Sequence, residues 1–75
     1  MSKSLEDKLM AAFGRRLAEV RKQRGFTQQQ LAGKLEISLV SIGYIETGKR
    51  WPRLVTLYKI AKVLDVKVDQ FFKDI

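Results

Sequence analysis

Two helix-start signals with a helix stop between them, packed into residues 27–48, constrain this chain more than any other feature. In Thr27-Gln28-Gln29-Gln30 the Thr hydroxyl can accept from the backbone N–H of Gln30 while the Gln30 side chain reaches back to the Thr27 N–H, a reciprocal cap that opens a helix. Leu31, Ala32 and Leu35 then follow a one-face spacing that stops at Glu36-Ile37-Ser38. Ser38 can cap a further helix running to about Thr47, with Gly48 placed as its terminating residue. The sequence therefore predicts two short helices joined by about three residues.

The flanking segments are helical too. Leu5, Leu9, Phe13, Leu17 and Val20 recur at steps of three and four, with Ser4 and Asp7 as a capping box and Gly25 as a stop, which predicts a first helix over about residues 5–24. Gly14 within it costs of order 1 kcal/mol relative to Ala, so the first ten residues are expected as a separate or frayed turn. Beyond Lys49-Arg50-Trp51-Pro52-Arg53, the positions Leu54, Leu57, Ile60, Ala61 and Leu64 mark a fourth helix, and Val68 to Phe72 a short fifth. No stretch alternates as a strand, and one Pro with five dispersed Gly leaves no linker. The expected organisation is all-α: an N-terminal helical extension, residues 1–12, and one small domain, residues 13–75.

Composition narrows the chemistry. With neither Cys nor His among 75 residues there is no thiol nucleophile, imidazole base, disulfide or Cys/His zinc cage. The eight carboxylates show no recognisable acid/base spacing, so no catalytic residue, no metal site and no cofactor is expected, and the chain reads as a binding protein rather than an enzyme. A core this small holds by packing alone or by dimerising. The formal net charge of +7 makes polyanions the natural partners, nucleic acid first and acidic membranes second. Residues 15–53 hold nine Lys/Arg and three Asp/Glu, which places +6 of that charge around the helix pair. A membrane-surface role for residues 1–24 is disfavoured because Glu6, Asp7 and Glu19 interrupt the basic face, and no apolar run suits a span or a signal peptide. The expected address is cytoplasmic.

At 100° per residue the third helix puts Ser38, Ser41, Ile42, Ile45 and Glu46 on one side and Leu39, Val40, Gly43, Tyr44 and Thr47 on the other. The Ile pair is core. The opposite face points outward from a short helix behind a tight turn, a shape able to enter a DNA major groove about 12 Å wide.

Phe13-Gly14-x-Arg16-Leu17, Arg21-Lys22-x-Arg24-Gly25-Phe26-Thr27-Gln28-x-x-Leu31-Ala32, Ile42-x-x-Ile45-Glu46-x-Gly48-x-Arg50-x-Pro52, Leu57-x-x-Ile60-Ala61 and Leu64-x-Val66 together resemble the Cro and λ-repressor type of helix-turn-helix domain over roughly residues 13–72. The resemblance implies a compact five-helix λ-repressor-like fold that binds double-stranded operator DNA, usually as a homodimer, and acts as a repressor, an autoregulator or a small controller like those of restriction-modification systems. It implies that Leu39, Val40, Gly43 and Tyr44 read bases and that Ser38, Ser41 and Thr47 lie beside the backbone. Gln28 would contact a phosphate or buttress the third helix, with Thr27 and Gln29 nearby, although Thr27 and Gln30 also read simply as a cap. Lys49, Arg50 and Arg53 match the family's phosphate-contacting loop, and Arg21 with Glu46 its structural ion pair. Trp51 reads as packing over the start of helix four.

Two departures stand out. Arg, Gln, Asn and Lys are missing from the outward face of helix three, which leaves specificity to apolar contacts and DNA shape and keeps open an alternative, a protein-interaction module with little sequence-specific DNA binding. Glu36 stands where the family usually has Gly, so a left-handed residue there costs about 1 to 2 kcal/mol and reshapes the turn. Val63, Val68, Phe72 and Ile75 form the candidate dimer face, and an isologous pair would set two recognition helices about 34 Å apart. Leu5 and Leu9 could extend that face. No small-molecule effector is evident.

Overall fold

A computed structural model describes residues 4–73 and shows how local signals become helices. Ser4 caps α1, Leu5–Gln23, by accepting from the Asp7 N–H at 3.1 Å. Thr27 and Gln30 form both halves of the capping box that opens α2, Gln28–Leu35. Ser38 accepts from the Ser41 N–H at 3.0 Å to open α3, Leu39–Glu46. The fourth helix, α4, spans Leu54–Leu64 and begins after Pro52 with no side-chain cap.

All four helices end alike, with the N–H groups that follow folding back onto carbonyls of the last turn, as in Gly48 N–H to Ile45 O and Lys49 N–H to Tyr44 O. Two of these turns use Gly25 and Gly48 at φ 82° and 76°; the other two force Glu36 and Asp65 to φ 58° and 57°. Glu36, standing where the resembled family usually has Gly, thus carries the left-handed turn between α2 and α3.

Packing follows the apolar periodicity. Phe13, Leu17 and Val20 of α1 meet Leu31, Ala32 and Leu35 of α2, Ile42 and Ile45 of α3, and Ile60, Ala61 and Leu64 of α4 in one buried cluster. Phe71 completes it against α1, its ring centroid 5.7 Å from that of Phe13.

Three expectations are corrected. The fifth helix is a 3-10 turn, Val68–Phe72, so the described residues hold four α-helices and one tighter turn; five residues are too few to sustain an α-helical ladder, and the turn serves to insert Phe71. The frayed start predicted from Gly14 does not occur, because α1 runs unbroken through it. A Cβ at Gly14 would lie 2.4 Å from Ile45 O and 2.6 Å from Glu46 O, so the missing side chain is what lets α1 and α3 touch backbone to backbone. Leu54, counted with the buried stripe of α4, is exposed at the edge of that stripe in the first turn.

Candidate nucleic-acid interface

The orientation of α3 is fixed from behind by one carboxylate. Glu46 accepts from Arg21 Nε at 2.6 Å and Nη2 at 3.1 Å, while Arg21 Nη1 donates to Phe26 O at 2.8 Å. Both side chains are buried, and each finds its charge partner and planar match in the other. Gln28 Nε2 donates to the same Glu46 at 2.9 Å, so α1, α2 and α3 are joined at a single hub. Of the two roles weighed for Gln28, the buttress is the one its side chain adopts. Thr27 and Gln30 are engaged with each other, and Gln29 is beside them.

With its inner side held, α3 turns Leu39, Val40 and Tyr44 to solvent. Gly43 lies between them with no atom within 4 Å of where a Cβ would sit, and Thr47 is exposed with its hydroxyl donating to Gly43 O at 2.8 Å. At the other end Ser38 Oγ donates to Ser41 Oγ at 2.9 Å. Ser38 and Thr47 are exposed at the two ends of α3, and Ser41 is half-buried.

The loop after α3 brings Lys49, Arg50 and Arg53 beside this surface, all exposed. Gly48 cannot be replaced there without strain, since a Cβ would stand 2.7 Å from the Ala11 Cα. Trp51 packs inward, 5.6 Å from the Phe13 ring, with Nε1 donating to Glu6 at 3.2 Å. A cleft of about 300 Å³ opens between α3 and the start of α4, with Ser38, Ser41, Arg50, Arg53 and Thr56 among its walls.

Arg50 lies against α3 rather than along its own loop. Its guanidinium carbon sits 5.2 Å from the centre of the Tyr44 ring, and Nη1 makes a long contact of 3.4 Å to Ser41 Oγ. No periodicity or cap links positions 44 and 50, so the sequence carries no signal for this pairing.

Apolar surface is distributed differently from the sequence expectation. Val63 and Val68 are half-buried against the core, Phe72 is exposed but stacks on Phe13 at 5.4 Å, and Ile75 lies outside the described residues. The larger uncovered group is Leu54, Val55 and Tyr58 on the outer side of α4, at 68%, 67% and 60% exposure. Lys59 and Lys62 border it. Among the described residues no helix is long and apolar enough to cross a membrane.

Comparison with known proteins follows the same lines. A helix-turn-helix family model matches residues 17–71. The sequence is 39% identical over 61 residues, 81% of the chain, to the SPbeta prophage-derived uncharacterized HTH-type transcriptional regulator YonR of Bacillus subtilis, and spans 56% of that protein's length. It is 38% identical over 58 residues to the uncharacterized HTH-type transcriptional regulator YazB of the same organism, covering 77% of this chain and 84% of that one. The crystal structure of the restriction-modification controller protein C.AhdI from Aeromonas hydrophila superposes with a TM-score of 0.79 at 33% identity, over 84% of this chain and 96% of that chain.

Proposed function

This chain belongs to the helix-turn-helix family, as a DNA-binding transcriptional regulator of the XRE type, and from that premise we propose that it recognises a pseudo-palindromic operator sequence as a homodimer and regulates by occupancy. The observation that carries the reading is the division of α3 into two faces. One side is locked to α1 and α2 by the core and by the Arg21–Glu46–Gln28 hub, and the other turns Leu39, Val40 and Tyr44 to solvent with Gly43 between them.

In this reading α3 lies in the major groove, where Leu39 and Val40 meet thymine methyl groups and the Tyr44 hydroxyl donates to a base edge. Ser38, Ser41 and Thr47 flank the backbone at the groove's edge. Lys49 and Arg53 neutralise phosphates. Thr27, Gln28 and Gln29 bring the start of α2 to the opposite strand, Gln28 acting through Glu46 rather than by direct contact. Self-association through uncovered apolar surface sets two copies of α3 in successive grooves, about 34 Å apart. No cofactor enters this scheme, and the protein acts in the cytoplasm, where its operator lies.

The apolar character of Leu39 and Val40 supports a second reading, a protein-interaction module of the same fold with little DNA readout. Titration onto the DNA upstream of its own gene and onto a scrambled duplex, each at two salt concentrations, separates the two. The operator reading expects a preference of about a thousandfold or more, at the low end of specific recognition. Binding that is weak, steeply salt-dependent and indifferent to sequence, also among duplexes selected from a random pool, supports the interaction module instead.

A further inference from the structure

We infer that Arg50, although it lies in the loop beyond α3, is a base-reading residue: its guanidinium, seated on the Tyr44 ring, supplies the planar two-donor fork that α3 itself lacks, and its target is a guanine in the major groove. The inference rests on the DNA-binding reading above and adds a specificity determinant to it.

Three observations carry it. The outward side chains of α3 are Leu39, Val40 and Tyr44, none of which can make paired hydrogen bonds to the edge of a single base. Arg50 does not extend along its own loop; its guanidinium carbon lies 5.2 Å from the Tyr44 ring centre and Nη1 reaches Ser41 Oγ at 3.4 Å, so the group rests across the recognition helix. Both anchors are themselves held, Tyr44 by its place in α3 and Ser41 by Ser38 Oγ at 2.9 Å. The guanidinium carbon lies over the Tyr44 ring within cation–π range, and of its five donors only Nη1 is engaged, with Ser41, which leaves a pair available.

A phosphate would not require this arrangement. It needs a positive charge within reach, which the exposed Lys49 and Arg53 already provide and which a Lys supplies as a point charge. Paired donation to guanine O6 and N7 gains from a fork held over the groove, and the cation–π contact with Tyr44 together with the contact to Ser41 holds the group there. The backbone turn contributes as well: the bonds from Gly48 and Lys49 to the last carbonyls of α3 set the direction in which residue 50 leaves the helix.

The test begins by selecting a binding site from random duplexes with the wild-type chain, then measuring affinity for every single base-pair substitution of that site. Wild-type protein, Arg50→Lys, Arg50→Ala and Tyr44→Leu are compared, with thermal melts confirming that each variant folds. The expected result is a G·C pair whose replacement costs the wild type roughly tenfold to a hundredfold. In both Arg50 variants the penalty falls to less than about threefold at that pair alone, with penalties at other positions kept; in Tyr44→Leu it declines at that pair and at the base met by the Tyr44 hydroxyl. An Arg50→Lys profile matching the wild type, or a uniform loss across all duplexes in Arg50→Ala, overturns the assignment and leaves Arg50 as a phosphate contact. Failure of the wild-type chain to select any sequence overturns the operator reading, and this assignment with it.

Discussion

Gly14 and Gly33 both sit inside helices, and adding one methyl group to each has opposite consequences. Gly33 in α2 faces solvent, with open space for 4 Å around the place a Cβ would take, so Gly33→Ala removes the entropic cost of glycine and is expected to stabilise the fold by about 0.5 to 1 kcal/mol. At Gly14 the same helical gain is outweighed, because the new Cβ meets backbone carbonyls of Ile45 and Glu46 that no side-chain rotation can move. Overpacking of this kind costs about 1 to 3 kcal/mol, and it pushes α3 away from α1 just where the ion-pair hub sits. Thermal melts of the two variants check this: for a domain of this size about 4 to 8 °C accompanies each kcal/mol, upward for Gly33→Ala and downward for Gly14→Ala.

Between elements, the contrast is between a cap that serves one helix and a hub that serves three. Thr27→Ala removes the acceptor for the Gln30 N–H and is expected to cost about 1 kcal/mol of stability. Glu46→Ala strands the buried Arg21 guanidinium and the Gln28 amide together, and losses of about 3 to 5 kcal/mol follow from leaving such a charge unpaired. Urea titrations distinguish the two effects. These elements also mark how much of the fold is legible in the sequence. The caps at Thr27 and Ser38 and the stops at Gly25 and Gly48 can be read because each involves residues a few positions apart, whose hydrogen bonds form whatever the rest of the chain does. The Arg21–Glu46 pair is reached through family resemblance alone, since a contact across 25 positions leaves no local trace. Gly14 misleads for the same reason: helix propensity counts the glycine as a defect, while the neighbouring helix that requires it is distant in sequence. Leu54 illustrates the complementary error, because an apolar residue at the edge of a stripe is buried only if another element happens to reach it.

For the whole molecule the limiting quantity is size. Its extents are 36 × 24 × 21 Å and it carries a single α3, so in the proposed reading one copy engages one major groove and a second copy supplies the helix for the next, about 34 Å along the duplex. Among the described residues Leu54, Val55 and Tyr58 on α4 leave more apolar surface uncovered than Val63, Val68 or Phe72. We therefore expect sedimentation velocity to show a concentration-dependent dimer. Tyr58→Lys, which adds a like charge beside Lys59 and Lys62, should raise the dimer dissociation constant at least about tenfold without lowering the melting temperature of the monomer, because exposed positions contribute little to folding. An unchanged dissociation constant would return the interface to the Phe72 end of the molecule.

The two-faced character of α3 bears on how such a protein changes over evolutionary time. Residues that decide whether the chain folds, Ile42, Ile45 and Glu46, alternate along eight positions with residues that take no part in the core, Leu39, Val40, Gly43 and Tyr44. Substitutions in the second set are nearly neutral for folding, commonly within about 0.5 kcal/mol. A duplicated copy can therefore drift to a new target without passing through an unfolded intermediate, and two descendants of one ancestor can come to ignore each other's sites while remaining superposable. Gly43 widens that freedom, since the space above it is open to a side chain.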